Sequence, residues 1–149
     1  MSIAIALHLL SAVIWVGGMF FAYMALRPAA ASVLEPPQRL PLWDQTFVRF
    51  FKWVWGAIVL LPLTGYWMAF HLWAAMGHFP LYVHLMQGIG IVMILIYLHV
   101  FFAPYGRLKR AVAQQDWPTA GKALAQIRKL IAVNTALGLI VVVIASAGR

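Results

Sequence analysis

The chain has 149 residues, of which 64% are hydrophobic and 9% are charged, with a net charge of +8 and no cysteine. A soluble domain carries about 25% charged residues, so this composition excludes an ordinary soluble globular domain. The absence of cysteine excludes disulfides, thiol catalysis, cysteine-ligated zinc and iron–sulfur clusters. The positive charge does not indicate nucleic-acid binding, because the cations flank apolar runs and no nucleic-acid-binding module accompanies them.

Four apolar runs are each long enough to cross a membrane as a helix, which takes about 20 residues. The first connection is predicted to be a polar, Pro-rich loop over residues 29–46, because Arg27 and Pro28 close the first run. Pro62 lies inside the second run and predicts a kink there. The connection over residues 104–126 is basic and amphipathic and predicts two helical pieces, the second capped by Asp116. The four runs cover about residues 2–26, 47–73, 81–103 and 127–147.

The basic residues are concentrated beside two of the connections. Ten of the eleven Lys and Arg residues fall there, and only Arg149 lies apart from them. If each run crosses the membrane, both clusters lie on one side, which the positive-inside rule assigns to the cytoplasm. The first run is predicted to be a permanent span, because no basic segment precedes it as in a signal peptide. The two clusters are Arg27, Arg39, Arg49 and Lys52, and Arg107, Lys109, Arg110, Lys122, Arg128 and Lys129.

These features predict an all-α membrane protein formed by one four-transmembrane-helix up-down bundle, with the N and C termini outside. The domain covers residues 1–149, because four spans use most of the chain. The topology predicts a multi-pass protein of a bacterial-type inner (plasma) membrane with cytoplasmic basic loops. The lipid bilayer is the first partner, the apolar surface of the spans allows a homodimer, and nucleic acid is not a partner.

Histidines are the main ionisable residues inside the spans, where polar groups are expensive and usually functional. At about 1.5 Å per residue, His8 and His84 lie at similar depth near the outside, and His99 lies about 22 Å deeper. His8 belongs to a stripe of small and polar residues that indicates a face against other helices. A similar stripe begins at His84, and His99 falls near the same face. The stripes are His8, Ser11, Ala12, Trp15, Gly18 and Ala22 on span one, and His84, Gln87, Gly88 and Ile91 on span three.

Two further polar positions lie deeper, toward the inner side. Asn134 on span four is expected near the depth of His99 and is predicted to hydrogen-bond with it, directly or through water. Arg49, Arg107 and Arg128 are interpreted as topology anchors. Arg49, just inside span two, could alternatively bind an anionic ligand from the inner side.

One interpretation of the outer histidines is a haem b with His8 and His84 as axial ligands, since imidazole is the usual haem ligand and a bundle offers an apolar slot. Trp15 and Gly18 would shape the pocket, and His71 would be the reserve ligand. A haem with two histidine ligands has no open position, so it fits electron transfer, with a quinone or an external redox protein as partner. As an enzyme the protein would be a membrane haem oxidoreductase, for which no catalytic residue is identified.

A second interpretation is a copper site at the outer rim without haem. Met68 and His71 are three residues apart on one helical face, and Met76 and His78 follow closely. Thioether and imidazole together suit Cu(I). In a third interpretation the histidines are interfacial or interhelical hydrogen-bonding groups, and the protein is a scaffold subunit without a cofactor.

The first span, HLLSAVIWVGGMFFAYMALRP, resembles the opening of the copper-resistance CopD membrane domain. The residues that carry the resemblance are an early histidine, a tryptophan and paired glycines, here His8, Trp15, Gly17 and Gly18. The resemblance implies a role in copper uptake or tolerance.

The segment YLHVFFAPYGRLKRAV and the entry into span four are more weakly similar to the HemJ-type protoporphyrinogen oxidases, which are small four-helix haem proteins. This resemblance implies haem b ligation by His8. It does not imply protoporphyrinogen oxidation, because His84 stands in the region where that family has a lysine. The acid that follows the asparagine of span four in that family is also missing after Asn134.

Overall fold

The regular elements of the protein are all helical in the part that the structure, a computed structural model, describes, which is residues 1–148. The predicted all-α class is therefore confirmed, and four helical segments are long and apolar enough to cross a membrane. Arg149, the cation predicted to lie apart from the others, is outside the described residues. The α-helices are α1 (Ser2–Phe21), α2 (Arg27–Val33), α3 (Pro36–Trp73), α4 (Leu81–Phe102), α5 (Pro104–Ala113) and α6 (Trp117–Ala147). The four membrane-length segments are Ser2–Val33, Pro36–Met76, Leu81–Ala113 and Trp117–Ala147.

The first connection differs from the prediction, because the chain stays helical through most of it. α1 continues into α2 through a π-helical turn, Ala22–Leu26. Pro28 lies just after this turn, inside a helix that continues from Ser2 to Val33, and the Tyr23 carbonyl one π-helical turn before Pro28 accepts from Nε of Arg27 instead. Leu34 and Glu35 then separate α2 from α3. The predicted loop over residues 29–46 was therefore wrong, because proline stops a helix only where its missing N–H would be needed.

α3 is longer than the membrane is thick. Its 38 residues span about 57 Å, whereas the hydrocarbon core is about 30 Å thick. It begins with Pro36 and Pro37 in its first turn and continues through Pro62 as a single helix. One part of α3 therefore extends beyond the hydrocarbon. α6 also begins before its apolar part, and Asp116 caps it as predicted by accepting from the N–H of Thr119 at 3.3 Å.

Both basic clusters lie at one end of the bundle, which is the arrangement expected if every span crosses the membrane. Arg27 and Arg39 from the first cluster and Arg128 from the second line one cavity there. We call this the basic end (residues 27–52 and 104–129) and the opposite one the histidine end (residues 2–11 and 64–87).

The spans pack closely in two pairs, with α1 along α3 and α4 along α6. Aromatic rings fill the space between the pairs, and Tyr97 of α4 lies among them. Its ring packs edge-on against Trp15, Phe51 and Trp55, with centroid separations of 6.4, 5.3 and 5.5 Å. Edge-to-face contact is a preferred arrangement of aromatic pairs, so these contacts fix the rotation of α4 in the bundle.

A glycine on α6 lets this helix approach its neighbours. A Cβ atom at Gly138 would lie 2.8 Å from Cγ2 of Val16 on α1 and 3.2 Å from Cε of Met93 on α4. Any larger residue would push α6 outward. Small residues at such contacts drive helix association in a membrane, where burial of apolar surface contributes little.

Candidate functional site

His8 is the histidine that the fold holds between two spans. It lies half-buried on α1, whereas the other four histidines are exposed. Its Nδ1 atom is 2.9 Å from Oγ1 of Thr64 on α3, and Thr64 is buried with 8% of its surface exposed. Since α1 and α3 pack along each other, this bond fixes the orientation of the imidazole within the bundle.

The acceptors around Thr64 favour one tautomer of the imidazole. Oγ1 of Thr64 lies 2.5 Å from the carbonyl oxygen of Leu60, so the single hydroxyl hydrogen is donated to that carbonyl. Oγ1 must then accept the second bond, and the hydrogen in it belongs to Nδ1 of His8. In the neutral ring Nε2 therefore carries a free lone pair, and this is a form of histidine that binds metal ions.

Gly65 brings the backbone of α3 against the same imidazole. A Cβ atom at Gly65 would lie 3.3 Å from Cε1 and 3.7 Å from Nδ1 of His8, so the edge of the ring that carries these atoms faces α3. Thr64 and Gly65 are not among the residues predicted from the sequence. The available signal was an adjacent polar residue and glycine inside an apolar run, a combination that is typical of helix–helix contact.

Met68 and His71 continue the face of α3 that begins at Thr64. Steps of four and three residues keep the three side chains on one face, about 6 Å and 10 Å along the axis from Thr64. Met68 is half-buried, and His71 is exposed with its ring stacked on Trp67 at a centroid separation of 5.0 Å. This face therefore leads from His8 to the histidine end of the bundle.

The turn between α3 and α4 carries the remaining residues of the histidine end. The ring of Phe79 packs against Phe70 of α3 at 5.8 Å and against His84 of α4 at 6.0 Å, measured between centroids. His84 is therefore held against this turn, whereas His8 is held by a hydrogen bond to Thr64 on α3. Met76 and His78 are exposed in the turn.

The face of α4 that enters the core is not the predicted one. The predicted stripe is exposed at every position, and His99 is exposed as well. The buried residues of α4 are Met93, Tyr97 and Val100. Apolar residues occur on every side of span three, so its few polar residues do not identify the face toward the core, and the packing of Tyr97 sets the rotation instead. The exposed stripe consists of His84, Gln87, Gly88 and Ile91.

Asn134 is buried, with 3% of its surface exposed, but its hydrogen bond is not to His99. Nδ2 donates to the carbonyl oxygen of Met93 at 3.2 Å and so links α6 to α4. Met93 is six residues from His99, or about 9 Å along the helix axis. The predicted direct bond was wrong, because Asn134 lies more than one turn away from the depth of His99.

The residues expected to shape a haem pocket are packed by protein. The stripe on α1 does face other helices, and Trp15 is only 3% exposed. A Cβ atom at Gly18 would collide with the ring of Phe50. The cavity beside Trp15 has a volume of about 20 Å³, which is room for a single water molecule. The space next to Trp15 and Gly18 is therefore too small for a porphyrin.

Within residues 1–148, no three His, Cys, Asp or Glu side chains lie close enough together to hold a metal ion. A metal site at the histidine end would therefore combine histidine with methionine. Methionine is a soft ligand, and the combination favours Cu(I) over hard cations.

Residues 44–147, more than two thirds of the chain, match the model of a protein family described as Copper resistance protein D. The chain belongs to this family. Membership confirms the predicted CopD resemblance and implies a copper-resistance membrane protein. The matched range contains Met68, His71 and His84 of this CopD-family protein but begins after His8, so the role of His8 is argued from the structure. No curated protein and no solved structure matches the chain.

Proposed function

We propose that this CopD-family protein accepts Cu(I) at its histidine end and holds it with His8 as the innermost ligand. The observation that carries the proposal is the hydrogen bond between Nδ1 of His8 and Oγ1 of Thr64, and in the tautomer with hydrogen on Nδ1 the Nε2 atom can bind the metal. Histidines that bind metals commonly donate their other ring N–H to an oxygen in this way. Copper is here the cargo of the protein, in agreement with its family.

Met68 and His71 supply the approach to His8. An ion that reaches the exposed imidazole of His71 meets the thioether of Met68 about 5 Å deeper, and the level of Thr64 and His8 about 6 Å beyond that. Each step exchanges one copper-binding side chain, imidazole or thioether, for another, so the ion stays coordinated while it leaves water. The exposed Met76 and His78 extend the same ligand chemistry to the turn.

The proposal includes an orientation in an inner membrane. The positive-inside rule assigns the basic end to the cytoplasm, so the histidine end and the copper would meet outside. Because the chain has no cysteine, a single introduced cysteine can report directly on which side of the membrane its position lies. A cysteine in place of His78 should react with an impermeant maleimide in intact cells, and one in place of Gln115 only after lysis. The reverse pattern would overturn the orientation.

A haem b held by His8 and His84 is the second candidate, because it would use the same free nitrogen of His8. With both axial positions filled, such a haem would serve electron transfer to a quinone or a redox protein. The residues fit a porphyrin less well than they fit copper. Phe50 fills the space beside Gly18, and His84 is exposed beside Phe79.

Copper titration of the detergent-purified protein, with Cu(I) presented by a chromophoric chelator, tests the proposal. Wild-type protein should withdraw Cu(I) from the chelator, and His8→Ala should not. His99→Ala is the matched control, since His99 is exposed and distant from His8, and it should behave as wild type. A Soret band with sharp reduced α and β bands, lost in His8→Ala, would establish haem instead. Equal copper binding by wild type and His8→Ala would contradict the copper proposal.

A further inference from the structure

A cavity of about 300 Å³ lies at the basic end, away from the histidines. Its walls come from the end of the first span, the beginning of α3 and the first half of α6. Ligand pockets in proteins measure about 300–1,000 Å³, so the volume is sufficient for part of a small amphiphile. Nothing in the copper proposal uses this cavity.

Three arginines from three separate segments line the cavity. Arg27 follows the first span, Arg39 belongs to the first turns of α3, and Arg128 lies on α6. Arg27 donates from Nε to the carbonyl of Tyr23 at 3.3 Å and lies over the Tyr23 ring at 4.4 Å. Arg39 donates from Nη1 to the carbonyl of Leu34 at 3.3 Å. These bonds hold both guanidinium groups in place. Each bond uses one of the five N–H donors of its arginine, so the other donors are left for a ligand.

The charged residues that line this cavity are all of one sign. The residues that line it include three arginines and no Asp or Glu. Arg27 and Arg39 are both half-buried, so their charges are less screened than on an open surface. An anion in the cavity would neutralise these charges, and arginine matches phosphate oxygens in geometry as well as in charge.

The remaining walls are apolar and aromatic. Phe47 and Ile127 are almost completely buried beneath the arginines, and Ile131 continues the apolar wall along α6. Trp43 and Trp117 also line the cavity, and tryptophan is typical of the membrane–water boundary. The cavity thus combines cationic and apolar lining residues with tryptophan, the combination that suits a molecule with an anionic head group and an apolar chain.

We propose that this cavity binds an anionic phospholipid, with the phosphate between Arg27, Arg39 and Arg128 and the start of an acyl chain against the half-buried Leu124 and Ile131. Basic pockets between spans on the cytoplasmic side are places where anionic lipid head groups bind. The site joins the first, second and fourth spans, so an occupied cavity would hold the basic end together. The inference is independent of what the histidine end binds.

Native mass spectrometry of the full-length protein, with phosphatidylglycerol or phosphatidylcholine added to the detergent, tests the site. One variant carries Arg27→Gln, Arg39→Gln and Arg128→Gln. Its matched control carries Arg49→Gln, Arg107→Gln and Arg110→Gln, which removes the same charge from exposed positions at the same end outside the cavity. Gly121→Leu provides a variant with all charges intact, because Gly121 lines the cavity and a Cβ atom there meets nothing within 4 Å.

Wild type should bind phosphatidylglycerol in preference to phosphatidylcholine. The cavity variant should lose about tenfold or more in phosphatidylglycerol affinity, because charge-assisted hydrogen bonds are lost, while the control triple stays within about twofold of wild type. Gly121→Leu should also weaken binding by filling the space for the chain. Equal losses in both triple variants would mean diffuse attraction and overturn the site. Unchanged binding by Gly121→Leu would overturn the placement of the acyl chain. If the triple variant does not fold, Arg128→Gln alone replaces it, because Arg128 is exposed, and it should also weaken phosphatidylglycerol binding.

Discussion

The imidazole of His8 and the hydroxyl of Thr64 meet 2.9 Å apart across the interface between α1 and α3. The hydroxyl already donates to the carbonyl of Leu60, so the imidazole is the donor and its other nitrogen is free. In membrane proteins such an interhelical bond contributes only about 0.6 kcal/mol on average. Its larger effect is to fix the ring in one orientation before any ligand arrives, which reduces the ordering that binding requires.

Replacing Thr64 with valine removes the acceptor and keeps the shape of the side chain. We expect Thr64→Val to lower the affinity for Cu(I) about 10–100-fold, the usual effect of losing a partner that orients a metal ligand. Competition with a Cu(I) chelator measures it. Thr135→Val is the control, because Thr135 is equally buried and also donates to a carbonyl one turn back, that of Ile131 at 2.7 Å. Equal losses in the two variants would show that Thr64 has no specific role.

A methyl group at Gly65 would press on the His8 ring. Cε1 of His8 lies 3.3 Å from the position of that Cβ, so Gly65→Ala must displace the imidazole by a few tenths of an ångström. We expect weaker Cu(I) binding and a shifted His8 imidazole resonance in NMR spectra. Gly56→Ala on the same helix meets nothing within 4 Å and should leave copper binding unchanged. Gly56→Ala should also raise the free energy of unfolding by about 0.5–1 kcal/mol, since alanine favours helix. Unchanged copper binding by Gly65→Ala would argue against ligation by His8.

Met68 should contribute through its sulfur rather than its volume. Met68→Leu keeps an apolar side chain of similar size, so the fold should tolerate the change with a loss below about 1.5 kcal/mol. Cu(I) binding should weaken, whereas a haem spectrum, if present, should not change. Met24→Leu is the control, because Met24 is exposed toward the basic end of span one. Copper binding that depends on neither methionine would remove Met68 from the route to His8.

Asn134 and His99 should act independently. Asn134→Ala removes the bond to the Met93 carbonyl and should lower the free energy of unfolding by about 0.6–1.7 kcal/mol, the range for interhelical bonds in membranes. His99→Ala should have little effect, because His99 is exposed. The double variant should be additive within about 0.3–0.5 kcal/mol. A larger coupling energy, measured by reversible unfolding in mixed detergent micelles, would mean that the two residues interact after all.

The sequence predicted the elements better than the contacts between them. Asp116 was recognised as a helix cap because the cap, the following proline and the bond to Thr119 are all local. Pro28 predicts a helix end, and only the structure shows that a π-helical turn precedes it and that the helix continues past it. The sequence does not show that Thr64 bonds to His8 or that Gly65 gives room for its ring, because both contacts exist only once α1 is packed against α3.

Hydropathy and charge are properties of the chain itself, so the sequence alone determined the all-α class, the four membrane-length segments and the two clusters of basic residues. The bilayer and the protein interior are both apolar, so hydropathy cannot distinguish the side of a span that faces lipid from the side that faces the other helices. The tertiary structure therefore decided that α4 turns Met93, Tyr97 and Val100 inward and leaves His84 exposed. It also decided that His8 meets Thr64, because close packing between α1 and α3 at Gly65 brings one face of each helix together.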